Sequence, residues 1–128
     1  MFLAVLRGSG GTLDFTAALA AHGLKADLVW EAGELDSAGR TRRDRGFNLT
    51  VADASQADDL TSQVRRFLTG HAQLLQDIRN AGGALTLDVG VTVGTDDQHT
   101  ASVHWEPGDL ALLADSAIEL QFSAYPAN

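Results

Sequence analysis

The chain has 128 residues, of which 45% are hydrophobic and 20% are charged, a balance typical of a folded domain and not of a disordered chain. Its 17 acidic and 9 basic residues give a net charge of −8. Because this charge repels phosphate groups and anionic lipids, we expect neither nucleic acid nor a membrane surface as a partner. The absence of cysteine excludes disulfides, thiolate nucleophiles and cysteine-bound zinc.

The beginning of the chain predicts a strand followed by a short helix. Residues 2–7 are a nearly continuous apolar run, and a glycine-rich turn follows it. Thr12 or Asp14 can cap a helix that runs to about His22, where the following glycine is typical of a helix end. Residues 1–6 have neither the basic start nor the apolar length of a signal peptide, so we expect a cytoplasmic protein.

Two further strands, residues 28–30 and 46–51, are joined by a long, charged and exposed segment and form a predicted hairpin. In the second of these strands, Phe47, Leu49 and Val51 are predicted to share the buried face. The hairpin tip carries a dense basic cluster, which consists of Arg40, Arg42, Arg43 and Arg45. This arginine cluster can bind an anion or an acidic surface, or it can simply keep a sheet edge from pairing with other strands.

The strongest helical signal lies between residues 58 and 80, where apolar side chains recur every three or four positions. Gly70 interrupts this helix and predicts either a kink or a close contact with a neighbouring element. His71 falls on the apolar stripe, where we expect a buried and hydrogen-bonded side chain and not a metal ligand.

The last third of the chain predicts a hairpin, a short helix and a final strand. The predicted strands are residues 84–93, 99–105 and 117–125, and the helix is residues 107–115. The whole chain then reads β-α-β-β-α-β-β-α-β. We therefore predict one α+β domain over residues 1–128, with helices on one face of a mostly antiparallel sheet. Its last part, a helix, a hairpin, a helix and a strand, resembles a ferredoxin-like unit, so the fold is predicted to be ferredoxin-like in part.

The uncovered face of this sheet is the other candidate for chemistry. Asp88 and His104 are predicted to point to it from neighbouring strands, together with Glu119 on the last strand. Such a pair can act as acid and base, but more often it is only a stabilising cross-strand pair. We identify no catalytic residue and no cofactor motif. His99 and His104 would point to opposite faces of their strand, so they are not expected to bind one metal ion together.

The chain resembles a family of short bacterial proteins known as a domain of unknown function, number 4279. The residues that carry the resemblance are Gly23 and Leu24, Gly33, residues 46–49, His71 with Leu74 and Leu75, and residues 110–114 and 122–125. The resemblance implies the fold and a bacterial, cytoplasmic setting, and it brings no catalytic residues.

Two classes of function follow. The first is a non-enzymatic acidic module that binds a basic protein, most concretely an immunity or antitoxin protein that neutralises a basic toxin. The alternative is a small-molecule binder or an enzyme that uses the polar sheet face around Asp88, His104 and Glu119. The sequence does not decide the oligomeric state.

Overall fold

The computed structural model describes residues 1–94 and 100–127. Its strands are β1 (Phe2–Gly10), β2 (Leu28–Trp30), β3 (Gly46–Ala54), β4 (Gly83–Val93) and β5 (Ile118–Pro126). Its helices are α1 (Phe15–Ala21), α2 (Ala57–Gly70), α3 (Ala72–Asn80) and α4 (Pro107–Asp115). The strands form one sheet in the order β2-β3-β1-β4-β5, and only the β4–β5 pair among its four pairings is parallel.

Strand β1 lies at the centre of the sheet and pairs on both sides, with β3 and with β4. Its side chains alternate, so that Phe2, Ala4 and Leu6 point to the helices and are at most 4% exposed. Leu87 of β4 lies beside Leu6 on the same face. This face of the sheet is therefore the floor of the hydrophobic core.

All four helices cover that floor. Phe15 of α1 packs edge-on against Phe47 of β3, with ring centroids 4.9 Å apart. The longer helices contribute buried leucine, valine and isoleucine side chains to the same core. Because β3 and β4 both run antiparallel to β1, the unit β3–α2–α3–β4 is a split β-α-β unit with β1 between its strands. The predicted α+β class and the mostly antiparallel sheet are confirmed. The ferredoxin-like unit predicted for the last part of the chain required a hairpin that the described residues 100–106 do not form.

A bulge in β3 changes the predicted alternation. The pairing with β1 shifts between Ala4, which lies opposite Ala52, and Val5, which lies opposite Thr50. Val51 is consequently the extra residue and is only half-buried, whereas Ala52 is 3% exposed. Val51 packs against the core as predicted, but the bulge leaves it less buried than Phe47 and Leu49.

The predicted long helix is divided into α2 and α3 at His71, whose φ of −123° departs from helical geometry. The expected kink beside Gly70 is confirmed. The alternative, a close contact, does not apply, because a Cβ on Gly70 would meet no described atom of a neighbouring element within 4 Å.

The predicted strand at residues 99–105 is wrong for the residues that the structure describes, and His99 lies outside them. Residues 100–106 belong to no strand, and β4 pairs instead with β1 and with β5. Ala101, Val103 and Trp105 nevertheless pack against the core. The alternation of apolar and polar residues in this segment thus predicts correctly which of its side chains are buried. It does not predict a strand, because β1 and β5 already pair with β4 on both sides.

Gly8 offers a test of the core at the centre of the sheet. A Cβ added there would clash with the Cε1 edge of the ring of Phe47, the residue paired with Gly8 on β3. We predict that Gly8→Ala lowers the free energy of unfolding by about 1–3 kcal/mol, because Phe47 and the Phe15 ring that packs on it must move. Urea denaturation measures this change.

Gly70→Ala is the matched control for that substitution. Since Gly70 is helical and has open space around it, alanine should leave the protein unchanged or stabilise it by up to about 1 kcal/mol. Equal losses of stability in the two variants would contradict the packing described for Gly8.

Candidate functional site

A polar cleft of about 260 Å³ lies between the beginning of α2 and the segment that leads into α4. We call it the acidic cleft. Its lining residues are Asp58, Thr61, Arg65, His104 and Glu106. The cleft forms because α2 carries the first three of these on the same side of the helix, and residues 104–106 pass beside them.

One buried carboxylate holds the two walls of the acidic cleft together. Asp109 of α4 is 4% exposed and accepts two hydrogen bonds from Arg65, at 2.6 Å from Nε and 3.0 Å from Nη2. It also accepts a hydrogen bond from the backbone N–H of Glu106 and so closes the N-terminus of α4. The Arg65 guanidinium, through its hydrogen bonds and charge, lowers the pKa of Asp109.

The acidic cleft carries a net negative charge once its ion pair is counted. Arg65 is the arginine that lines the cleft, and the carboxylate of Asp109 compensates its positive charge at close range. Asp58 and Glu106 are both exposed, and Asp59 adds a third carboxylate in the first turn of α2. The dipole of α2 contributes only about half an elementary positive charge at its N-terminus, so the carboxylates outweigh it.

The other polar constellation lies on the face of the sheet that the helices leave uncovered. Asp88 is buried and accepts hydrogen bonds of 2.9 Å from Arg7 of β1 and from the hydroxyl of Ser123 of β5. Glu119 is exposed on the same face. Both carboxylate oxygens of Asp88 therefore accept hydrogen bonds from neighbouring strands, so this side chain connects β1, β4 and β5.

The predicted pairing of Asp88 with His104 is wrong. It required a hairpin between β4 and residues 99–105, and the described residues 100–106 form no strand there. His104 lines the acidic cleft in the helical layer, whereas Asp88 points to the opposite face of the sheet. The sheet itself separates these two side chains.

The four side chains of the arginine cluster lie in four different environments. The Arg45 guanidinium lies 4.6 Å from the centre of the Phe15 ring and donates hydrogen bonds to the carbonyls of Gly11 and Leu13. Arg42 lies 4.0 Å from the centre of the Trp30 ring, and Arg40 pairs with Asp36 at 3.8 Å. Arg43 is exposed. Arg45 and Arg42 thus have contacts within the fold, which shows a structural role for part of the cluster.

His71 is half-buried, and its Nδ1 has no hydrogen-bond partner among the described residues, so the expected hydrogen bond is wrong. Its ring packs on Phe67, with centroids 4.8 Å apart, and on His22 at 5.7 Å. The described residues contain no group of three or more histidine, aspartate or glutamate side chains that could hold a metal ion.

Sequence reasoning missed the acidic cleft. The sequence Glu106-Pro-Gly-Asp109 has the spacing of a helix N-terminal cap, which could have indicated Asp109 as a capping residue. Nothing in the sequence, however, relates Asp109 to Arg65, which lies 44 residues earlier. The cleft exists only once α2 and α4 are packed side by side.

No family model, curated protein or solved structure matches this chain. The resemblance to the bacterial family of unknown function therefore stays a prediction. Within the part of the chain that the structure describes, no helix is both long enough and apolar enough to cross a membrane.

The pair between Arg65 and Asp109 predicts a specific pH dependence. Because Arg65 lowers the pKa of Asp109 below its ordinary value of 3.8, this pair stabilises the fold fully above that value and is lost as the pH falls through the lowered pKa. We predict that Arg65→Met is less stable than the natural protein at neutral pH. Its deficit in free energy of unfolding should shrink below pH 3.8.

Urea titrations at several pH values measure that deficit, and Arg66→Met is the matched control. Arg66 is the next residue of α2 and is exposed, so its replacement removes the same charge without touching Asp109. A deficit that is the same at every pH, or that appears equally in both variants, would contradict the role assigned to the pair.

Proposed function

We propose that this protein is a non-enzymatic acidic module that binds a basic protein, and that the acidic cleft receives a basic side chain of that partner. The role that fits this module best is that of an immunity or antitoxin protein, which neutralises a basic toxin by covering its active site. The active site of such a toxin would have to be cationic for an acidic module to cover it.

The observation that carries the proposal is the charge inside the acidic cleft. Arg65 is already paired with Asp109, which leaves the charges of Asp58 and Glu106 uncompensated in the cleft, although the Glu106 side chain also takes part in the capping box of α4. A cleft of about 260 Å³ accommodates one lysine or arginine side chain, which can form charge-assisted hydrogen bonds with the exposed carboxylates of Asp58 and Glu106.

The charge of the whole chain supports the same partner. A net charge of −8 on 128 residues accelerates encounter with a positively charged protein and slows encounter with acidic ones. The polar sheet face offers less support for the alternative function, a small-molecule binder or enzyme. Both oxygens of Asp88 are engaged by Arg7 and Ser123, and His104 lies on the other side of the sheet.

The test is co-expression with the product of the adjacent gene, with growth and gel filtration as the two readouts. We expect rescue of growth and a complex whose association rate falls as salt is added, because salt screens the attraction between the two surfaces. Neither rescue nor a complex would overturn the proposed immunity role.

The acidic cleft is tested in the same system with Asp58→Asn combined with Glu106→Gln. Two charge contacts of this kind are worth about 0.2–1 kcal/mol each, so affinity should fall roughly two- to thirtyfold. The matched control is Glu34→Gln with Glu119→Gln, which removes the same net charge from exposed positions elsewhere. Equal losses of affinity in the two double variants would place the contact outside the cleft.

A further inference from the structure

The two edges of the sheet differ sharply. Edge strand β2 has only 3 residues, and the charged segment that follows it carries the arginine cluster. Edge strand β5 has 9 residues and pairs with β4 along its whole length on one side. A short, charge-flanked edge is a common protection against pairing with another chain, and a long edge strand lacks it.

The side chains of β5 do not protect that edge either. Residues 120–125 carry no charge, and no proline interrupts the strand before Pro126. Phe122 is 55% exposed and Tyr125 is 52% exposed, although they lie on opposite faces of the sheet. β5 thus presents aromatic surface above and below an uncharged strand edge.

We infer that β5 pairs with β5 of a second copy of this chain. The two strands would run antiparallel about a two-fold axis and would join two sheets into one. Such an interface is isologous, since the same strand contributes both halves of it. This inference goes beyond the proposed function and concerns a different surface.

The register and the charge of β5 both favour a second copy as the occupant. With the two-fold axis at Phe122, the middle of the strand, Glu119 lies opposite Tyr125 of the second copy, so no two carboxylates face each other. Two copies with a charge of −8 each repel least where the strand is uncharged. A basic partner, in contrast, would find no carboxylate among residues 120–125 with which to form an ion pair.

The first experiment is sedimentation velocity on the full chain over a range of protein and salt concentrations. We expect a dimer that strengthens as salt is added, because salt screens the repulsion between the acidic copies. Binding of a basic partner weakens under the same conditions, so failure of the dimer and failure of the proposed function are distinguishable. A monomer at every concentration and salt level, or open-ended association, would overturn the inference.

The second experiment places one charge at the proposed two-fold axis. Phe122→Lys should give a monomer with an unchanged far-UV circular dichroism spectrum, because the side chain is already largely exposed in one copy. Leu28→Lys is the matched control on the opposite edge, where the leucine is 46% exposed, and it should leave the dimer intact. Loss of the dimer in both variants, or in neither, would contradict pairing through β5.

Disulfide cross-linking tests the same interface in a way that does not depend on whether the fold tolerates Phe122→Lys. Because the chain has no cysteine, Phe122→Cys introduces a single thiol, which in the dimer lies next to its own copy across the two-fold axis. Mild oxidation should convert this variant to a disulfide-linked dimer much faster than it converts Leu28→Cys. Equal rates of conversion would overturn the assignment of β5 as the interface.

Discussion

The structure depends on the pairing of β1 with a strand on each side. Because β3 and β4 both hydrogen-bond to β1, they are held parallel to each other, and α2 and α3 must cross the core to connect them. Phe2, Ala4 and Leu6 of β1 are buried in that core. The long amphipathic stretch of α2 and α3 carries the strongest signal in the sequence, yet it covers a floor that β1 organises.

Ion pairs engage part of the positive charge of this acidic chain within the fold. Four of its 9 basic side chains form ion pairs within the described residues. Two of these pairs join buried carboxylates to neighbouring elements: Arg7 with Asp88 across the sheet, and Arg65 with Asp109 across two helices. Part of the positive charge is thus paired within the fold, and the exposed carboxylate of Asp58 forms no ion pair among the described residues.

Much of the fold could be predicted because apolar spacing reports burial, but spacing does not report which strand pairs with which. Ala101, Val103 and Trp105 alternate as in a strand and do pack on the core, yet β1 and β5 already occupy both sides of β4. The error moved His104 from the helical layer to the sheet face. The same reasoning placed Asp88 correctly, because the alternation within β4 depends only on its own residues.

By itself, the sequence determined the α+β class, most of the local elements, the break beside Gly70 and the net charge, since each depends on neighbouring residues or on composition. Tertiary structure alone decided the strand order, the bulge at Val51 and the acidic cleft. The cleft needs Arg65 and Asp109, which are 44 residues apart, to meet between two helices. No local pattern contains that distance, because it results from the way in which the whole core packs.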